Sequence, residues 1–204
     1  TTLQWNIISE PLNYSYHFET GDADFENHGY GGIWGGRHLS AHHNLFAHCN
    51  NRNPRFDGIR NCPEELVDYR NNVIYNWGGN SIYAGEGGNY NLVDNYYKYG
   101  PATGEKVRDR IFLQKDPRGQ MYCNGNFVWG YPEISANNWA GGIDFAPDGE
   151  ATEQTLRAHA PYVVAPVDTQ PAELAFNLVL ERAGCSKSRD SVDARIIEEI
   201  RSGT

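Results

Sequence analysis

Two arginines bracket a proline at Arg52-Asn53-Pro54-Arg55, and it is around them that this 204-residue chain could do chemistry. Pro54 fixes its own φ and pushes Asn53 towards extended backbone, so the two guanidinium groups leave a stiff segment rather than a floppy loop. An arginine fork grips carboxylate or phosphate through parallel charge-assisted hydrogen bonds. Such a mount suits a polyanionic ligand. The formal charge of −9 argues against one at first. Between Arg37 and Arg60, however, four arginines stand against Asp57 alone, a local formal charge of +3. Local asymmetry of this kind guides binding better than the total.

Other reactive side chains compete less well. His42 and His43 invite an acid–base reading, since free imidazole titrates near neutrality. Neighbours on a strand point to opposite faces, so at most one would reach a groove, and a structural role is the favoured one for both. Asp22, Asp24 and Glu26 offer hard oxygen ligands to calcium at alternate positions, but without the length or glycine of an EF-hand loop they read as a solvated loop. Cys49, Cys62, Cys123 and Cys185 show no C-x-x-C spacing, which leaves zinc and thioredoxin-like chemistry unsupported. A Cys49–Cys62 bridge would staple the arginine loop, with buried free thiols as the favoured alternative. Hydrophobic residues make up 39% of the chain and aromatic residues 13%. No apolar run approaches the roughly 20 residues that cross a bilayer.

The run His42-His-Asn-Leu-Phe-Ala-His48, then Asn51-Arg-Asn-Pro-Arg55, with Gly31-Gly-Ile-Trp-Gly-Gly36 before it, resembles the core of polysaccharide lyase family 1, the pectate lyases. The likeness continues through Asn71-Asn-Val-Ile-Tyr-Asn-Trp77, Asn91-Leu-Val-Asp-Asn-Tyr-Tyr-Lys98 and Gly100-Pro-Ala-Thr103, and resumes at Arg189-Asp-Ser-Val-Asp-Ala-Arg195. The resemblance implies cleavage of polygalacturonate by β-elimination, assisted by calcium acting as Lewis acid and template. It matches Arg52 to the arginine the family uses as general base. That role is unusual, because an isolated guanidinium keeps its proton above pH ~12, and it implies activity that rises in alkaline solution. Arg55 would hold a substrate carboxylate, with Arg60, His28, Tyr30 and Trp34 completing the substrate-binding set. Two departures bear on the substrate: the family's lysine near Tyr30 is absent, and Asp57 stands where a second arginine is common. Polygalacturonate, methylated pectin, a short oligomer and another uronate all stay open. The usual calcium-binding acids would precede Thr1, in a missing N-terminal segment or a second chain. Secretion or a periplasmic location follows from the resemblance, although no signal is present. A non-catalytic, β-helical uronate-binding module is the alternative reading.

Positioning such a site falls to short strand-like runs, each with an Asn before large apolar residues: Asn6-Ile-Ile, Asn44-Leu-Phe, Asn72-Val-Ile, Asn95-Tyr-Tyr and Asn126-Phe-Val. Their spacings of 38, 28, 23 and 31 residues lie on the scale of solenoid repeats. In a right-handed parallel β-helix, the fold the resemblance implies, each Asn stacks on the next and tolerates the left-handed backbone of a sharp corner. A twisted antiparallel sandwich using Asn in its turns competes. Residues 1–140 are expected to form coils carrying the groove, with Trp77, Tyr83 and Glu86 candidates for its lining and the buried core favoured for Trp77. Residues 141–204 are expected to form an irregular strap and two helices, one over Pro171 to Ala183 and one from about Ser188, packing on the coil.

Overall fold

The computed structural model describes residues 1–14 and 27–204, so the Asp22, Asp24 and Glu26 run lies outside the described residues. Strands numbered along the chain fall into three sheets. The first holds β1 (Thr2–Gln4), β4 (Leu39–His42), β7 (Leu66–Arg70), β10 (Asn89–Val93) and β13 (Gln120–Asn124). The second holds β2 (Ile7–Ser9), β5 (Leu45–Ala47), β8 (Val73–Tyr75), β11 (Tyr96–Lys98) and β14 (Phe127–Val128). The third holds β3 (Ile33–Trp34), β6 (Arg55–Phe56), β9 (Ile82–Tyr83), β12 (Phe112–Gln114) and β15 (Ile143–Phe145). Each strand pairs in parallel with the strands three before and three after it. The chain is therefore a parallel β-helix of five coils, and β15 carries the last coil a few residues past 140.

An asparagine ladder marks the corner between the first and second sheets. Asn6 donates through N and Nδ2 to Asn44 Oδ1 at 3.1 and 2.8 Å, Asn44 does the same to Asn72, Asn72 to Asn95, and Asn95 to Asn126. Asn138, beyond the short helix α1 (Pro132–Ala136), receives the last pair from Asn126. The left-handed conformation belongs to the residue before each ladder position and not, as the sequence suggested, to the asparagine itself: Trp5, His43, Asn71, Asp94 and Gly125 all have φ between 51° and 72°.

Each sheet's inner side chains fill one core, including Phe46, Phe56, Tyr69, Ile74, Tyr90, Tyr97 and Phe112. The three sheets differ in what covers them outside. The second is buried on both faces, since α3 (Ala172–Arg182) and α4 (Ser191–Ser202) lay Val179, Leu180, Ile196, Ile197 and Ile200 against Leu45, Val73, Tyr75 and Tyr96. Continuous apolar runs are what two-sided burial requires. Val192 in the first turn of α4 is exposed, and Ile196, Ile197 and Ile200 form the buried stripe. Buried Lys98 donates to the carbonyls of Ile200 and Arg201, tying down the end of α4. Along the first sheet runs the strap, which includes the single-turn helix α2 (Glu153–Leu156). Asn91 and Asn71 imitate a neighbouring strand by exchanging hydrogen bonds with the backbones of Tyr162 and Gln170. Among the described residues, the third sheet has no such cover, and its outward column reads Ile33, Arg55, Tyr83, Leu113 and Asp144.

Candidate functional site

The turn from β5 to β6 delivers Arg52 to the margin of the uncovered sheet. Tyr30 bridges Asn51, and Gly32 N donates to Arg52 O at 3.0 Å. A Cβ on Gly31 would lie 2.6 Å from that carbonyl, so only glycine allows so close an approach. Arg52 itself has φ of 57°, a conformation that costs an L-residue about 1–2 kcal/mol. The other left-handed non-glycine residues sit in two regular corner columns, Trp5, His43, Asn71 and Asp94 in one and Glu10, His48 and Asn76 in the other. Arg52 belongs to neither, so the coil repeat does not impose its backbone.

The guanidinium of Arg52 lies 4.1 Å over the Tyr30 ring, and its Nε donates to Tyr83 Oη at 3.1 Å. Half-buried His28 places its ring 5.1 Å from that of Tyr30. Among the described residues no carboxylate pairs with Arg52, leaving both terminal nitrogens for a ligand. Arg55 leaves the outer face of β6 beside Tyr83 and meets Glu86 at 3.6 Å and Asp57 at 3.9 Å. Below this loop Glu65 is 1% exposed and accepts from Gly58 N and Tyr90 Oη. Burial raises its pKa above the ordinary carboxylate value. Next to Arg55 opens a cleft of about 630 Å³ lined by Tyr83, Leu113, Lys115, Asp116, Asp148 and others.

The structure thus brings Arg52, Tyr30, His28, Tyr83, Arg55 and Glu86 together. It does not bring in Trp34, which faces inward and packs on Phe46 at 4.8 Å and Tyr69 at 6.4 Å; its neighbour Ile33 takes the outward place beside Arg55. Glycines on both sides of the pair leave no alternation from which to tell the two faces apart. Arg60 is exposed and forms no ion pair among the described residues. Trp77 is wholly buried and donates to Val107 O at 3.0 Å. The local positive charge is also smaller than the sequence suggests, because Arg37 pairs with Glu64 and Arg55 with Glu86 from other turns.

His42 and His43 lie elsewhere, under the strap. Their Nδ1 atoms are 2.8 Å apart, and His43 Nε2 meets Gln170 Oε1 at 2.7 Å. The expectation of opposite faces fails because His43 is a left-handed corner residue and strand alternation stops before it. All four cysteines are free, so Cys49 and Cys62 do not staple the loop.

Calcium needs several converging oxygens. Among the described residues no three candidate ligands converge, and the acids near the cleft are committed to cations: Glu86 and Asp57 to Arg55, Asp116 to Arg118, Asp148 to Lys115. The described residues do not fit the ion.

Fold and site together define a parallel β-helix whose open face carries an arginine-centred, aromatic-backed site. Comparison with known proteins supplies the kinship. No family model matches the chain. It is 31% identical over 184 residues to a protein of Aspergillus terreus called probable pectate lyase C, covering 87% of this chain and 40% of that protein. A namesake from Aspergillus flavus is 29% identical over 208 residues, 98% of this chain and 43% of that protein, and one from Aspergillus fumigatus is 30% identical over 184 residues, 87% and 40%. The chain is a distant relative of these proteins. It spans less than half the length of the curated relatives it matches.

Proposed function

We propose that the protein containing this chain is a pectate lyase that cleaves an acidic polysaccharide of polygalacturonate type by β-elimination, with Arg52 as general base. Arg52 takes the proton from C5, next to the carboxylate carbon. The electron pair released forms a double bond between C4 and C5, the C4–O4 bond breaks, and the departing oxygen takes up a proton. Negative charge grows on the carboxylate as C5 loses its proton, so a cation aimed there lowers the barrier. Arg55 serves that role. Tyr30 and Tyr83 hold the Arg52 guanidinium between a ring face and a hydroxyl oxygen. A guanidinium must shed its own proton before it accepts another, and turnover therefore rises into alkaline solution. Calcium belongs to the proposal only with ligands beyond the described residues. A plant-wall polymer is met outside the cell, and we place the protein there; no helix of the described residues is long and apolar enough to cross a membrane.

One observation carries this reading: Arg52 stands at the margin of the uncovered sheet with no acidic partner among the described residues. The test is ultraviolet absorbance of the unsaturated uronate when polygalacturonate and calcium meet the intact protein. Product is expected from the parent and none from Arg52→Lys. Absence of product from the parent across alkaline pH would discard the lyase reading. Calorimetric binding of oligogalacturonate that survives Arg52→Ala, with no product from either protein, would identify a non-catalytic uronate-binding module instead.

A further inference from the structure

Two coils beyond Arg52, the same row of turns carries a second arginine on an aromatic bed. Arg108 places its guanidinium carbon 4.9 Å over the Tyr99 ring. Its Nε is buried without a hydrogen-bond partner, and no ion pair involves it among the described residues. Tyr99 touches Trp129 with ring centroids 4.8 Å apart and a tilt of 50°, and Tyr131 at 6.3 Å and 70°. Trp129 is 41% exposed, one of the few large rings of the chain that faces solvent to that extent. Lys98 lies 5.4 Å from the Trp129 ring, but its ammonium is occupied by the carbonyls at the end of α4.

The turns that carry the two arginines stack through one intervening turn, residues 76–81. Gly79 N donates to Asn50 O at 2.9 Å, Asn53 N to Ser81 O at 2.9 Å, Gly104 N to Gly78 O at 3.1 Å and Ser81 Oγ to Arg110 O at 2.9 Å. Parallel coils are ~4.8 Å apart, so two of them separate the arginines by about 10 Å along the axis. The second site also repeats the first in kind: an arginine without an acid, laid over one tyrosine and close to another. It differs in adding an indole that is partly exposed to solvent.

We propose that Arg108, Tyr99, Trp129 and Tyr131 form an accessory saccharide-binding site for a carboxylate-bearing pyranose. The guanidinium takes the carboxylate in a charge-assisted pair, and Trp129 covers the apolar C–H face of the ring while its N–H stays free for a hydroxyl. Asp109 and Glu133 face Tyr131 nearby. They limit the site to one acidic group at Arg108 and disfavour a phosphate or a densely charged ligand. The choice of a uronate rests on the lyase reading; the arginine-and-aromatic geometry does not.

The test follows the indole N–H signals of the five tryptophans in an isotope-labelled sample of the whole chain titrated with digalacturonate. The Trp129 signal, assigned by its loss in Trp129→Ala, is expected to shift and saturate. In Arg108→Gln the apparent affinity at that signal should fall about tenfold for digalacturonate and change little for galactobiose, which lacks carboxylates. Calorimetry in the Arg52→Ala background reads the variants that lack this indole: Trp129→Phe keeps a flat ring and should retain most of the binding that Trp129→Ala loses, which separates stacking from misfolding. Arg52→Ala should leave the Trp129 titration unchanged. A Trp129 signal that stays still at saturating digalacturonate, or one whose titration ignores Arg108→Gln, overturns the proposal. Lyase product with a silent Trp129 would refute this site and spare the catalytic reading; a shifting Trp129 without any product would do the reverse.

Discussion

Tyr83→Phe is the sharpest probe of how the site is built, because it removes one oxygen and little else. The lost group accepts a hydrogen bond from Arg52 Nε at 3.1 Å. A hydrogen bond to a charged group contributes about 1.5–3 kcal/mol, and the half-exposed setting of both partners puts this one at the lower end. If the bond holds Arg52 on line for the C5 proton, its loss lowers the elimination rate about tenfold. The phenyl ring stays, so the packing of Arg55 beside it at 6.0 Å is kept. Tyr30→Leu makes the complementary change. It removes the ring under the guanidinium, and a cation–π contact at such a site is worth about 0.5–1 kcal/mol, a two- to fivefold effect. Tyr30→Phe retains the ring and should be near neutral. Initial rates of ultraviolet absorbance on polygalacturonate measure all three, with thermal melts to show that stability is unchanged. Full activity in Tyr83→Phe beside a dead Arg52→Lys would refute the positioning argument. So would a Tyr30→Phe as damaged as Tyr30→Leu.

Further expectations concern the frame that carries the site. Asn72→Ala strips the acceptor from the backbone N–H of Asn44 at a fully buried rung, while Asn44 Nδ2 still donates to the carbonyls of Leu3 and His42, and one stranded donor costs about 1–3 kcal/mol in urea unfolding. Asn6→Ala, at the exposed end where water replaces the lost donor, should cost about 1 kcal/mol or less; equal losses would contradict the ladder's role. Burial raises the pKa of Glu65 in the folded chain above its ordinary value of 4.5. Between those two values the folded state holds more protons than the unfolded one, so stability is full below 4.5 and falls as pH rises through the raised pKa. Glu65→Gln should flatten that segment of the unfolding free energy against pH, and an unchanged slope would show that Glu65 is not its source.

What could be seen in advance divides along a physical line. A feature repeated once per coil leaves a periodic trace, and the asparagine ladder was legible for that reason: five residues at coil-length spacings became five rungs. Arg52 was legible through its proline-bracketed block and the resemblance that block carries. Contacts between coils leave no such trace. Arg55 reads as a free cation along the chain, yet Glu86, a full coil later, lies 3.6 Å from it. Among the described residues Arg52 meets no acid, because the coil above it offers the hydroxyl of Tyr83 instead. Face assignment fails where the alternation that encodes it is interrupted. His43 leaves the strand in a left-handed corner and so meets His42 instead of opposing it, and Trp34 turns inward while Ile33 takes the groove. For the same reason Arg108 and Trp129 leave no signal in the sequence. Neither lies in a regular run, and only the stacking of long turns lets Tyr99 carry Arg108 on its ring and meet the exposed indole of Trp129 from the next coil. In a solenoid of this kind periodicity specifies the scaffold, whereas the chemistry of its face depends on which irregular turn happens to lie above which.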